Sequence, residues 1–155
     1  MGQLHLVELS GFIDESTRMH FRIALEARGK GRPRAFVNKR TGRADAHTDK
    51  KTLDWAKTFE ILATAAKRRL VAEIEAVRGR PLFVELKLEY QKPKKCSWFC
   101  TKPIDNDNAE KIVWDSLQGT FFENDNRITD NFTKKIWAAD EPRITITIAA
   151  LKETP

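Results

Sequence analysis

The feature that most constrains the fold is a long apolar repeat between Leu53 and Val77. Its apolar residues recur every three or four positions, which places them on one face of an α-helix. They are Leu53, Ala56, Phe59, Ala63, Ala66, Leu70, Ile74 and Val77. Thr48 or Asp49 can cap the start of this helix, and Gly79 with Pro81 ends it. Because such a face must be buried, the repeat predicts one long helix packed on other elements.

Segments with a two-residue period surround this helix and predict strands. Residues 20–28 and 82–90 alternate apolar and polar side chains, and residues 128–138 and 143–151 also indicate strands. A short helix is predicted with Asp107 or Asn108 as its N-cap, and Gly119 stops it. This order predicts an α+β fold. We expect a single domain with a mixed β-sheet of about four main strands, on which one long and one short helix pack.

Composition sets the class of protein. The chain has 155 residues, of which 41% are hydrophobic and 32% charged, as in one soluble globular domain. Residues 1–19 show no clean period and are predicted to be an N-terminal extension of a domain at 20–155. No apolar run approaches the ~20 residues of a membrane span, and no secretory signal is seen, so we expect a cytoplasmic protein with no membrane contact. Cys96 and Cys100 have no further metal ligands near them and are expected to be reduced thiols.

The positive charge is gathered in two segments of the chain. The formal net charge is +6, and residues 29–48 form a basic loop with a short hairpin predicted around Thr41–Gly42. Residues 92–102 form a second basic loop that contains no acid. This distribution favours nucleic acid as the partner. Trp98 and Phe99 lie among the lysines of the second loop, where they either stack on bases or anchor the loop to the sheet.

Acidic residues cluster between 101 and 128. In an extended segment Asp105 and Asp107 point the same way, and two adjacent carboxylates need a cation to neutralise both. Mg²⁺ prefers such hard oxygen ligands, and Asp125 from a later turn would complete the site. Lys111, four residues after Asp107, would share its helical face. Capping and turn formation explain any single aspartate, but the whole set, flanked by basic loops, favours metal-dependent phosphodiester hydrolysis.

The same residues match a family signature. The stretch KPIDNDNAEKIVWDSLQGTFFENDNRI, residues 102–128, resembles that of RusA-type Holliday junction resolvases: K-P-D-x-D-N-x-x-K-x-x-x-D-x-L-x-G, then an acidic pair. GKGRPR at 29–34 is similar to the family's basic motif after the first strand. The resemblance covers about residues 21–150. Two departures occur: Ile104 separates Pro103 from Asp105, and Asn124 replaces the first acid of the late pair.

The resemblance implies a Mg²⁺-dependent endonuclease, with Mn²⁺ as a substitute metal and no small-molecule cofactor. It also implies that the protein is a homodimer, that its partner is branched DNA, and that it nicks four-way junctions symmetrically. Asp105, Asp107 and Asp125 fall on the family's metal-binding carboxylates, and Lys111 falls on its catalytic lysine. Asp115 also lies in the motif, where a helix-stabilising ion pair is expected.

Further expectations concern the contacts with DNA and the dimer. The candidate DNA-binding residues are Lys30, Arg32, Arg34, Lys94, Lys95, Asn108, Lys134 and Lys135. The candidate dimer surfaces are the late strands, with Phe132, Ile136 and Trp137, or the long helix. Two alternatives stay open: a metal-dependent nuclease acting on other branched nucleic acids, flaps or RNA, and a catalytically silent protein that only binds junctions.

Overall fold

The computed structural model describes residues 11–30 and 34–154. The strands are β1 (Met19–Ile23), β2 (Arg34–Val37), β3 (Ala44–His47), β4 (Leu82–Tyr90), β5 (Ile128–Trp137) and β6 (Arg143–Ala150). The α-helices are α1 (Lys50–Lys67), α2 (Val71–Val77) and α3 (Asn106–Leu117). Two short 3-10 turns, Glu15–Thr17 and Asp125–Arg127, precede β1 and β5.

The main sheet has four strands in the order β1-β6-β4-β5. Strand β6 is antiparallel to both of its neighbours, whereas β4 and β5 are parallel. A parallel pair needs a crossover connection, and α3 provides it here. The predicted α+β fold with a mixed sheet is therefore confirmed. The hairpin predicted around Thr41–Gly42 is also present, because β2 and β3 pair with each other as a separate two-stranded sheet.

One face of the sheet is covered by the helices. The alternate residues of β4 from Leu82 to Tyr90 are fully buried on this face, and so are Ile144, Ile146 and Ile148 of β6. Phe59 of α1 and Val113 of α3 pack into the same core. Helices α1 and α3 are therefore held against a common sheet, and this fixes the direction of α3.

The long apolar repeat is divided between two helices. Asp49 caps α1, as expected, by accepting a hydrogen bond from the Thr52 amide at 3.0 Å. The helix ends at Lys67, and the Arg69 and Leu70 amides bond to carbonyls only three residues back, which tightens the last turn. The apolar spacing then continues through α2, where Ile74 and Val77 are buried. No glycine or proline marks this break, so the periodicity alone could not show it.

The described part of the first nineteen residues packs onto the domain. Ile13 forms a bridge with Leu151, and both side chains join Phe83 and Ala149 in a small buried cluster on the other face of the sheet. Asp14 pairs with Arg80 at 2.9 Å. The boundary after residue 19 stays a prediction. In the part of the chain that the structure describes, no helix is long and apolar enough to span a bilayer.

Candidate functional site

The acidic segment begins in the connection that leaves the carboxyl end of β4. Helix α3 starts one residue after Asp105, which is the N-cap (φ −69°, ψ 138°) in place of the predicted Asp107 or Asn108. The Asp105 carboxylate makes no capping hydrogen bond. Asp107 lies in the first turn, where the helix dipole favours a negative charge. The backbone therefore orders both aspartates at one end of α3.

Lysine side chains hold the backbone that leads into Asp105. The Lys135 ammonium, on β5, donates to the carbonyl oxygens of Lys102 and Ile104 at 2.9 and 3.0 Å. The Lys102 ammonium in turn contacts a Glu26 carboxylate oxygen at 2.7 Å and lies 5.6 Å from the centre of the Tyr90 ring. Lys135 thus supports the acidic segment, and its contact with DNA stays a prediction. The sequence gives no local signal for these contacts, because they join distant parts of the chain.

The charged groups at the start of α3 are open to a ligand. Asp105, Asp107 and Lys111 are exposed, and none forms a hydrogen bond or ion pair with another described side chain. Lys111 lies one helical turn after Asp107, on the same face. Between the aspartates, the amide oxygen of Asn106 is buried without a donor among the described residues. This end of α3 therefore presents oxygen ligands together with one cation.

Asp125 lies at the opposite end of α3. Its backbone amide donates to the side-chain oxygen of Gln118, the residue that follows α3, at 3.3 Å. Nearby, Glu123 accepts a hydrogen bond from the Gly79 amide, just before β4. A helix of 12 residues is about 18 Å long, so Asp125 is at the amino ends of β4 and β5, whereas Asp105 is at their carboxyl ends.

The carboxylates suit a divalent metal in chemistry but do not converge within one chain. Hard carboxylate oxygens are the ligands that Mg²⁺ prefers, and Asp105 and Asp107 are neighbours. Among the described residues, however, no three Asp, Glu, His or Cys side chains are grouped so that they could hold a metal ion. The structure thus places Asp105, Asp107 and Lys111 in the first part of α3 and Asp125 beyond its other end.

The residues before the hairpin lie against α3. The Lys30 amide donates to the Asn108 carbonyl at 3.2 Å, and a Cβ atom on Gly29 would be 3.4 Å from the Ile104 side chain. The Lys30 ammonium pairs with Asp115 at 2.5 Å, so Asp115 forms an ion pair that links α3 to the basic segment instead of the pair within the helix that was expected. Arg32 lies outside the described residues, as does the side chain of Arg34.

The second basic loop is anchored by a residue from β5. The Trp137 indole donates to the carbonyl oxygens of Ser97 and Phe99 at 3.1 and 3.2 Å. Trp98 and Phe99 themselves are 91% and 78% exposed, so their side chains do not anchor the loop. Their stacking on bases stays a prediction. Lys94 and Lys95 are also exposed, and Cys96 and Cys100 do not form a disulfide with each other.

The two faces of β5 separate residues that the sequence grouped together. Lys135 and Trp137 face α3 and the second basic loop. Phe132, Lys134 and Ile136 alternate with them and so point to the other face of the sheet. Lys134 is exposed there, apart from the start of α3. Its contact with DNA and the role of Phe132 and Ile136 in a dimer stay predictions.

A comparison with protein families gives one match that spans most of the chain. The family model described as endodeoxyribonuclease RusA matches residues 25–149. The matched range includes both basic segments and the whole of α3 with Asp125. No curated protein matches the chain.

Proposed function

The chain belongs to the RusA endodeoxyribonuclease family, and on this premise we propose that it is a Mg²⁺-dependent nuclease that resolves four-way DNA junctions by paired nicks. The observation that supports the proposal is the pair of exposed carboxylates at the start of α3, Asp105 and Asp107, which have no partner among the described residues, with Lys111 on the same helix. The basic segments lie on either side in the chain, and the first packs against α3. DNA phosphates attracted by these segments would meet the acidic residues.

Each group has a role in the proposed reaction. Asp105 and Asp107 would hold Mg²⁺, or Mn²⁺ as a substitute, and Asp125 is the proposed third ligand. When bound, the metal supplies a Lewis acid for the scissile phosphate. Lys111 places a positive charge on the same helical face as Asp107 and stabilises charge on the phosphate oxygens. Asn108 lies in the first turn of the same helix and is proposed to contact the DNA backbone.

The direct test is cleavage of a synthetic four-way junction in Mg²⁺. Linear duplex, flap, single-stranded DNA and branched RNA serve as competing substrates. We expect symmetric nicks in the junction, and none when the metal is chelated. Asp107→Asn is expected to abolish nicking while junction binding survives or tightens, since repulsion between carboxylate and phosphate falls. The matched control is Asp54→Asn, which changes an exposed acid on α1. Normal cleavage by the Asp107 variant would remove this residue from the site.

Lys111 is tested by separating rate from affinity. Lys111→Ala is expected to lower the cleavage rate at saturating DNA more than it lowers binding, because its charge acts on the transition state. Lys57→Ala, on the exposed side of α1, is the control. A loss of binding alone would make Lys111 an ordinary backbone contact.

Paired cuts require two sites, and we propose that a two-fold homodimer supplies them. Light scattering should then report about twice the chain mass of 17.8 kDa. A mixed dimer with one Asp107→Asn subunit should nick one strand without resolving the junction. A monomer that makes both cuts would contradict this.

The separation of Asp125 from Asp105 motivates a second dimer experiment. Because α3 keeps them apart in one chain, we propose that Asp125 of one protomer approaches the Asp105–Asp107 pair of its partner. Mixing Asp107→Asn with Asp125→Asn subunits would then place both changes in one site and leave the other site intact. We expect single nicking to return in the mixture. Failure to recover it, when the wild-type/Asp107→Asn dimer still nicks, would assign Asp125 to its own chain's site.

The second candidate is a junction-binding protein without catalysis. The exposed Lys94 and Lys95 would support binding of DNA phosphates without any metal site. Tight junction binding, with no cleavage of any branched substrate in Mg²⁺ or Mn²⁺, would establish this candidate instead. Cleavage of flaps or RNA in preference to junctions would favour a nuclease with another substrate.

A further inference from the structure

The β2–β3 hairpin is a ribbon distinct from the main sheet. Its strands pair with each other as a two-stranded sheet, in the register Ala35↔Ala46 and Val37↔Ala44. Arg28, which precedes the hairpin, and Asp49, which follows it, form an ion pair of 3.3 Å. The ribbon is therefore held at its base, between the end of β1 and the start of α1.

Hydrogen bonds fix the tip of the hairpin. The Asn38 amide donates to the Arg43 carbonyl at 2.9 Å, and the Asn38 carbonyl accepts from the Thr41 and Gly42 amides. The Asn38 side chain also accepts from the Arg40 amide at 3.0 Å. Gly42 has φ +67°, a conformation that glycine adopts without strain. The tip is thus a defined turn, which can present side chains in a set arrangement.

The tip carries only positive charge. Lys39, Arg40 and Arg43 are exposed, and their side chains have no partner among the described residues. No Asp or Glu occurs from Gly29 to Ala44. One face of the ribbon carries small apolar side chains, and Val37 on it is 63% exposed. A basic tip on a narrow ribbon matches a polyanion with a groove.

Duplex DNA has these features. Its major groove admits a two-stranded β-ribbon, and phosphates line both sides of the groove. A small apolar face suits close approach to base edges and thymine methyl groups. Single-stranded DNA offers the charge but lacks a groove, so the shape of the ribbon favours the duplex.

The segment that leads toward the hairpin, Gly29 and Lys30, lies beside the start of α3. The Lys30 amide bonds to the Asn108 carbonyl, and Gly29 packs close to Ile104. We propose that the β2–β3 hairpin lies in the major groove of a duplex arm and directs that arm toward Asp105 and Asp107. This inference rests on the proposed function, since it takes duplex DNA as part of the substrate.

The test compares two triple variants of equal charge. The hairpin variant is Lys39→Gln/Arg40→Gln/Arg43→Gln. The control is Lys67→Gln/Arg68→Gln/Arg69→Gln, which also removes one lysine and two arginines. Its residues lie at the far end of α1, and a helix of 18 residues is about 27 Å long. Both variants are first checked by thermal melting and are expected to fold as the wild type does.

Binding to short duplex and single-stranded DNA is measured over a range of salt, with the metal chelated so that no cleavage occurs. For duplex DNA, the hairpin variant should reduce the slope of log K against log salt by up to about 2.7, the value for three lost phosphate contacts. The control variant should change it far less, and single-stranded binding should change little in both. Equal losses in the two variants, or equal losses for the two DNA forms, would overturn the proposal.

Methylation protection tests the groove directly. The wild-type protein should protect guanine N7 atoms, which face the major groove, on one arm of the junction. The hairpin variant should lose this protection. Val37→Glu, which keeps the basic tip but places a negative charge on the ribbon face, should also lose it. No protection by the wild type would overturn the proposal. Protection without any cleavage in Mg²⁺ would leave the hairpin inference standing while the proposed nuclease function failed.

Discussion

Replacing Asp115 by asparagine is expected to strengthen DNA binding. Asp115 is the residue that neutralises Lys30, with their side-chain atoms 2.5 Å apart. Lys30 lies in the basic segment beside the start of α3, and its ammonium is therefore already occupied before DNA arrives. Asp115→Asn removes one negative charge from α3 and leaves the Lys30 ammonium available to DNA phosphates.

The structure sets the size of the two expected effects. The side chains of Lys30 and Asp115 are 35% and 40% exposed, and solvent-exposed pairs stabilise a fold by only about 0–1 kcal/mol. Loss of 1 kcal/mol lowers Tm by about 2–4 °C in a chain of this size. One additional phosphate contact steepens the salt dependence of binding by about 0.9 in log K against log salt. The change in the salt dependence of binding should therefore be measurable in a variant whose Tm is nearly unchanged.

The assay is a salt titration of junction binding by fluorescence anisotropy, with the metal chelated. It compares the wild type, Asp115→Asn, Lys30→Gln and the double variant. Asp115→Asn should steepen the salt dependence, and Lys30→Gln alone should change it little. The steepening should disappear in the double variant, because it depends on the freed lysine. A flatter plot for Lys30→Gln, with no effect of Asp115→Asn, would show that Lys30 contacts DNA despite its partner and would refute the reasoning.

Three further predictions concern residues around the acidic segment. Burial raises the pKa of Tyr90 above its ordinary value of 10.0, and Cys100 and Glu26 add to this shift. The folded state therefore keeps the phenol proton to a higher pH than the unfolded state does. The free energy of unfolding is thus unaffected by Tyr90 below pH about 10 and falls as the pH rises further. Tyr90→Phe should remove this loss of stability at alkaline pH, as measured by urea unfolding. Tyrosinate absorbance follows the ionisation of Tyr90 directly, because it is the only tyrosine in the sequence. An unchanged loss of stability in the variant would show that Tyr90 is not its cause. Lys135→Met should speed hydrogen exchange at residues 102–105 and slow cleavage, and it should leave the salt dependence of binding unchanged. Lys134→Met is the control. If Lys135→Met only flattens the salt dependence, and Lys134→Met does so equally, Lys135 is a DNA contact. Trp98→Ala should leave Tm unchanged because Trp98 is exposed, and should weaken junction binding by about 1–3 kcal/mol if one base stacks on it; unchanged binding would reject stacking.

Local patterns in the sequence predicted most of the secondary structure. The alternating residues of β4 and the capping role of Asp49 depend on neighbours within a few positions, and the structure confirms both. The break after Lys67 was not predicted, because the apolar spacing continues across it. Periodicity reports which side chains share a face, but it does not report whether the helix axis is continuous.

The candidate site was predicted only in part, since its support comes from distant residues. Asp105, Asp107 and Lys111 are close in sequence, so their position in the first part of α3 could be anticipated. The separation of Asp125 depends on the direction of α3 between two parallel strands, which linear spacing does not reveal. In the same way, the hydrogen bonds from Lys135 and Trp137 to the preceding loop become visible only once β5 has its place in the sheet.

The position of β6 has a consequence for the order in which the domain can form during translation. This strand is the last of the described fold to be synthesised, yet it lies between β1 and β4 and pairs with both. Until residues 143–150 leave the ribosome, β1 has no partner in the main sheet and one edge of β4 is open. The hydrophobic face that supports α3 is then incomplete as well. A nascent chain would therefore carry its acidic residues without the framework that orders them, and the site would be organised only once β6 has been synthesised.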